Sequence, residues 1–349
     1  MIDIKGVGEF FSLDIGTNSI RATQLSKSGD GSWNLVGMGY TSVDPQIILS
    51  DSEESKRKLS EVIASMLGQS DIKTKNVAIN LPSQKTFTTI IEVPNQDKKE
   101  LARNIEYQVD QYIPMSFDDA KFDWALIGAS LSKQDYLEIL LASTSKKFSE
   151  EKMEFVEGLG LNVVASEPES LAMTRALYSG EIENRAQLFV NFNETSTDLS
   201  IVCQGAPRLV RTIPAGLFSL VKSASQNLNI KEDQARQFIL KFGLAKDKLE
   251  GQVFRAIEMT LDNFAQEITK SIKFFSTKYP DIPVGSVNLS GYVGTIPQMS
   301  EYIASKTGIQ TYSSNPFQNI NVPAKYQQQV MNVGSEFAVA VGLAKRSNR

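Results

Sequence analysis

Apolar and polar residues alternate along SIRATQLS, directly after an apolar run, FFSLDI, and a turn of Gly16, Thr17 and Asn18. Alternation with a period of two predicts a half-buried strand, and Gly beside short polar side chains predicts a tight turn, so residues 10–26 read as a β-hairpin. A third strand follows in SWNLVGMGYTSV, then a helix over SEESKRKLSEVIASMLGQ, where Leu59, Ile63, Met66 and Leu67 fall on one face. NVAINLP and TFTTIIEVP read as strands around a turn at residues 82–85, before a helix over residues 98–112 that Pro114 stops. Two more strands, FDWALIGAS and DYLEILLAS, precede a helix over SEEKMEFVEGLG, ended by Gly158 and Gly160.

The opening pattern then returns. QLFVNFNETSTDLSIVCQG reads as strand, turn, strand, and PRLVRTIPAG adds a third strand. Helices are predicted over residues 217–228, 232–242 and 251–279. In the last, Val253, Ile257, Leu261, Phe264, Ile268, Ile272 and Phe275 recur every three or four positions and form one buried stripe. VGSVNLSGYVGTIPQMSEYIASKTG reads as strand, turn at Gly291, helix. Aligning LDIGTNSIRATQL with VNFNETSTDLSIV sets Asp14 opposite Asn191 and Gly16 opposite Asn193. Two similar halves with facing hairpins and a third glycine turn would close a cleft from both sides, the layout of the actin and sugar-kinase nucleotide clamp.

A chain of 349 residues has room for about two domains. Its 41% hydrophobic and 22% charged residues are those of a soluble globular protein. The net charge of −4, with no clustered basic run, excludes a nucleic-acid footprint. With no histidine and a single cysteine, Cys203 in an apolar strand, His-dependent hydrolysis and the usual zinc sites drop out. Any metal is then a hard cation on oxygen ligands. The start MIDIKGVGEF lacks the marks of a signal peptide, and no apolar run approaches the ~20 residues that span a bilayer, so a cytoplasmic protein is expected, reaching a membrane only through a partner. The turn after Asp14 can hold a phosphate and its metal, because it offers backbone N–H groups beside a carboxylate. An ordinary hairpin turn accounts for the same residues.

Beyond these readings, the chain resembles the PilM family, actin-like cytoplasmic components of type IV pilus assembly related to the cell-division protein FtsA. The resemblance runs along nearly the whole chain: LDIGTNSIR, then VAINLPSQKTFTTIIEVP, ELARNIEYQVDQYIP, FDWALIG, LEILLAS and EPESLAMTRAL, then RTIPAG, EITKSIKFFSTKYP, LSG with IPQM, and EFAVAVGLAKRS. It implies an α/β, bilobed, actin-like (duplicated ribonuclease H-like) fold with an FtsA/PilM-type inserted subdomain. The first domain would take residues 1–76, 165–186 and 333–349, the insert 77–164, and the second domain 187–332. ATP with magnesium is the implied cofactor, with Asp14, Gly16, Thr17, Asn18, Arg21, Asn191, Asn193, Ser196 and Gly291 on the nucleotide and Asp14 at the metal. The implied partner is the N-terminal cytoplasmic tail of a PilN-like bitopic inner-membrane protein, of Asn-Leu-Leu-Pro type, held between the first domain and the insert, alongside other pilus assembly proteins.

Departures from the family pattern bear on that cofactor. Where the second phosphate loop begins Asp-Ile-Gly, this chain has Asn191, Phe192 and Asn193, which removes a carboxylate and adds a side chain. The Ala-Glu-x-x-Lys of relatives reads ARQFI here, with Arg236 and Ile239 in the Glu and Lys places, and the adenosine-side Gly-Gly becomes Gly291 and Tyr292. Ser196 and Asp198 keep part of the second loop. The expectation is a pilus-assembly adaptor with a degraded nucleotide cleft. The alternatives are an ATP-hydrolysing actin-like enzyme and an FtsA-like division protein, the latter disfavoured because AVGLAKRSNR leaves no room for a C-terminal membrane helix.

Overall fold

The structure, a computed structural model, describes residues 8–180, 182 and 184–346. Residues 1–7, 181, 183 and 347–349, which fall within the expected first domain, lie outside the described residues. Two compact units divide the chain: residues up to Ala172 with Asn319–Val322 and the stretch from Val339 onward, and Met173–Gln318 with Pro323–Ala338.

The first unit is built on a six-stranded sheet. Strands β1 (Phe11–Ile15), β2 (Ser19–Lys27) and β3 (Trp33–Ser42) form an antiparallel meander, as the alternation predicts. A five-residue helix the pattern did not show, α1 (Pro45–Leu49), precedes α2 (Glu53–Gly68). The start of α2 is set by Ser52, whose side chain accepts the Ser55 N–H, with Glu53 and Glu54 in the first turn where the helix dipole favours anions. Strand β4 (Asn76–Leu81) lies parallel to β1, which is central and wholly buried.

Residues 86–145 form a separate three-stranded sheet. Its strands are β5 (Thr86–Pro94), β6 (Ala120–Ala129) and β7 (Tyr136–Ser145), in the order β5-β7-β6, with α3 (Lys98–Gln108) between β5 and β6 in the chain. Ile91 and Val93 of β5 and Ile139 of β7 pack with Leu101 and Ile105 of α3, so one face of this sheet is covered. Helix α4 (Lys146–Gly158) begins three residues before the predicted start, because Ser145 caps it by accepting the Phe148 N–H. Its Val156 packs with Leu59, Ile63 and Met66 of α2 in the core of the large sheet. Strand β8 (Asn162–Pro168) then joins β4 in parallel, and α5 (Glu169–Leu177) leads toward the second unit.

There the same plan recurs. Strands β9 (Ala186–Phe192), β10 (Thr197–Cys203) and β11 (Ala206–Ile213) form the second meander. Helices α6 (Leu217–Leu228), α7 (Glu232–Phe242) and α8 (Gln252–Lys278) follow, and the predicted stripe of α8 is buried from Val253 to Phe275, with Ile272 half-buried. Strand β12 (Val284–Gly291) lies parallel to β9, and after α9 (Met299–Thr307) the short β13 (Thr311–Ser313) completes the order β11-β10-β9-β12-β13. The first unit's order, with β14 (Ile320–Asn321) at its edge, is β14-β3-β2-β1-β4-β8. The run β3-β2-β1-β4 thus matches β11-β10-β9-β12 strand for strand and in direction, the duplication that the two hairpins announced. Helices α10 (Ala324–Val333) and α11 (Ala338–Ala344) close the described chain.

Helix α11 meets α5 backbone to backbone: a Cβ on Gly342 would lie 1.8 Å from the Ala172 carbonyl oxygen. Gly68, at the end of α2, has no atom within 4 Å of its Cβ position. Gly342→Ala is therefore expected to lower stability by about 3 kcal/mol through overpacking, whereas Gly68→Ala raises it by up to about 1 kcal/mol through the unfolded chain. Urea denaturation of the two variants checks both signs.

Candidate functional site

Each unit carries its sequence-predicted residues on one strand-turn-strand motif, except Gly291, which ends β12. In the first, the turn between β1 and β2 is closed by the Gly16 N–H donating to the Ser19 carbonyl at 3.0 Å. Asp14 faces Arg21 across the strand pair, and the Arg21 Nη1 donates to Asp14 Oδ2 at 3.0 Å while Nη2 reaches Ser19 Oγ at 2.8 Å. The guanidinium also lies over the turn, since Nη1 sits 3.1 Å from where a Gly16 Cβ would be. Asn18 accepts from Ser19 Oγ with its side chain and from the Val43 N–H with its carbonyl, and Thr17 is half-buried in the turn.

Three residues that the sequence reading missed complete this neighbourhood. Asn80, fully buried at the end of β4, accepts the Ile15 N–H on Oδ1 and donates through Nδ2 to the Ile15 carbonyl and to Glu169 Oε1. Lys152, from α4, donates to the same Asn80 Oδ1 at 3.2 Å. Glu169, the first residue of α5, also accepts the Ser83 N–H through Oε2. Burial raises the Asp14 pKa, and the charges of Arg21 and Lys152 pull against that rise. Burial likewise pushes the Lys152 ammonium down to about 8, against the pull of Glu169 and Asp14. Asp14, Glu169, Arg21 and Lys152 together carry balanced charge. No sequence signal ties Lys152 to this cluster, because 138 positions of chain separate it from Asp14.

The second turn repeats the geometry with different chemistry. The Asn193 N–H donates to the Ser196 carbonyl at 2.9 Å, the same closure as Gly16 to Ser19, which places Asn191 at the position of Asp14 and Asp198 at that of Arg21. Asn191 Nδ2 donates to Asn193 Oδ1 at 2.9 Å, Asn193 Nδ2 reaches Asp198 Oδ2 at 3.3 Å, and Thr212 Oγ1 donates to Asp198 Oδ1 at 2.9 Å. Ser290 Oγ donates to Asn191 Oδ1, and the adjoining Gly291 (φ 72°) leaves no space for a side chain, since a Cβ there would lie 2.4 Å from the Phe192 carbonyl oxygen. Ser196 and Tyr292 are buried, and Ile239 is a core residue of α7. The carbonyls of Asn193 and Glu194 accept the Leu217 and Phe218 N–H groups at the start of α6.

Glu194 is the residue here that the sequence reading overlooked. Its carboxylate is 4% exposed and is gripped by both terminal nitrogens of Arg236 from α7, Nη1 to Oε2 at 3.0 Å and Nη2 to Oε1. The signal was present in the sequence: an acidic residue directly after Asn193, in a short turn between two apolar strands, calls for a cation.

With the sites placed, the fold defines the class. MreB5 of Spiroplasma citri bound to ADP matches 96% of this chain and 94% of its own at 12% identity, with a TM-score of 0.55. The ethanolamine utilization protein EutJ from Carboxydothermus hydrogenoformans matches 99% and 93% at 13% identity, with a TM-score of 0.54. The protein has the actin-like α/β fold that these share. The structure of a PilM-PilN type IV pilus biogenesis complex matches more fully, over 98% of this chain and 99% of that one, at 19% identity and a TM-score of 0.82. A family model described as type IV pilus assembly protein PilM matches residues 12–348, and the chain belongs to that family.

Lys152 makes the first turn testable by pH. Its pKa of about 8 lies below the ordinary 10.5, so between those values the unfolded chain binds more protons than the folded one, and the Lys152 contribution to stability rises with pH. Wild type is expected to gain on Lys152→Met between pH 7.5 and 9.5 in urea titrations. A constant difference between the two proteins contradicts the assigned environment.

Proposed function

We propose that the protein is an adaptor of the type IV pilus inner-membrane assembly complex, which holds the N-terminal cytoplasmic tail of a PilN-like bitopic protein and reaches the membrane through it. Family membership and the likeness to the PilM-PilN complex support this reading. Among the described residues no helix is long and apolar enough to cross a membrane, which is consistent with attachment by a partner.

The observation that carries the proposal furthest is the sheet β5-β7-β6, within the proposed insert 77–164. Both outer strands end that sheet, so each offers a row of backbone groups that an extended peptide can pair with. On the face turned away from α3, Ile90, Leu140 and Ala125 stand side by side across the three strands and are half-buried, an apolar row for alternate side chains of a tail. Ordering a free tail costs entropy, so an affinity on the order of micromolar is expected.

The nucleotide chemistry is proposed to be lost. Hydrated magnesium needs anionic oxygens open to water. Asp14 is 2% exposed and bonded to Arg21, Asn191 and Asn193 bring amides where a carboxylate and an open approach are needed, and Glu194 adds negative charge where phosphate would sit. Actin-like neighbours such as MreB5 hold ADP. This chain keeps their fold, and its turns are internally paired.

Two measurements test the reading. A synthetic tail peptide of Asn-Leu-Leu-Pro type should raise the melting temperature by mass action and slow hydrogen exchange in β5 or β6, and Ile90→Ser should weaken it at least about tenfold. Absence of binding by calorimetry, or protection confined to the two turns, overturns the adaptor. Magnesium-dependent ATP hydrolysis should not exceed background. Steady phosphate release that Asp14→Ala abolishes would show an active enzyme.

A further inference from the structure

The two unusual residues of the second unit form one device. Arg236 stands where relatives are expected to carry a Glu, and Glu194 lies inside the β9–β10 turn, 42 positions away in the chain, yet they meet through two parallel N–H to O bonds. Charge-assisted forked pairs of this kind are both strong and geometrically selective. The Glu194 carboxylate is nearly withdrawn from water, while the Arg236 side chain is 30% exposed. Such a carboxylate is costly unless a cation meets it, and Arg236 is a cation that meets it here.

The surrounding backbone is committed in the same direction. The Leu217 and Phe218 N–H groups, which open α6, are spent on the turn's own carbonyls. A Cβ on Gly216 would lie 2.4 Å from the Asn193 carbonyl oxygen, so turn and helix start are in direct backbone contact. An incoming anionic group would meet a carboxylate at this turn and would have to displace it from Arg236. The turn, the start of α6 and helix α7 are thereby tied into one body by groups of the chain itself.

We infer that the Glu194–Arg236 pair is a built-in counterpart of an anionic ligand, clasping α7 to the β9–β10 turn and closing that turn to phosphate. The inference deepens the proposed loss of nucleotide chemistry and rests on it only for the identity of the excluded ligand; partner capture does not enter.

A double-mutant cycle on the full chain tests it, with Glu194→Gln, Arg236→Gln and the double variant, chosen because Gln keeps the side-chain shape. Hydrogen exchange over Glu232–Phe242 is expected to speed up by about tenfold in each single variant, with the double variant no faster than the faster single. Exchange in β5, β6 and β7 should stay unchanged. Inorganic pyrophosphate should leave wild-type melting unmoved and raise that of Glu194→Gln, where Arg236 is released. Unchanged exchange in both single variants, or additive effects in the double, overturns the clasp. Pyrophosphate that stabilises wild type as much as Glu194→Gln overturns the closure. Tail-peptide binding measured on the same variants should equal that of wild type, so a failure of the adaptor reading registers separately.

Discussion

A charge removed from water has to be met by an opposite charge or by dipoles of the chain, and both strand-turn-strand motifs are organised around that requirement. In the first unit Asp14 meets Arg21 across the β1–β2 pair, and Glu169 is met by Asn80 and by the field of Lys152. In the second unit Glu194 meets Arg236. The two motifs share one backbone closure, Gly16 to Ser19 and Asn193 to Ser196, yet they recruit their arginines from different places, one from the next strand and one from a helix.

Asn80 shows how local chemistry and architecture join in the first unit. It accepts from Ile15 and Lys152 and donates to Ile15 and Glu169, so β1, β4, α4 and α5 meet on one side chain. Lys152 and Asn80 both lie in the proposed insert 77–164, and Asn80 bonds that segment to Ile15 at the end of β1. A buried, fully used amide of this kind fixes one arrangement of its neighbours, because any shift leaves a donor or acceptor unmet.

Much of the fold was legible because it is written in periodicity. The hairpins at residues 10–26 and 187–203, the face of α2 and the long stripe of α8 follow from spacing alone, and their sheet pairings agree. Short elements left no such trace: α1 spans five residues and β13 three, too few for a period to declare itself, and they form because larger neighbours hold them. In the candidate site the turn residues were legible, since Gly16, Asn193 and Gly291 sit at strand ends. The partners of those turns were not.

The sequence by itself determined the duplication, the α/β character, the absence of histidine chemistry and the departures at Asn191, Asn193, Arg236 and Tyr292. Family kinship was legible in the order of many weak motifs. Tertiary structure alone decided which groups those departures meet. Arg236 read from sequence is a lost ligand contact, and in the folded second unit it is the cation that Glu194 requires. Asp14 is a metal ligand by the family resemblance, and the folded first unit shows its carboxylate buried and bonded to Arg21. The physical reason is common to both: a side chain's charge is visible in the sequence, but its cost depends on burial and on which opposite charge the fold brings within about 3 Å, and neither distance nor solvent access is a property of chain order.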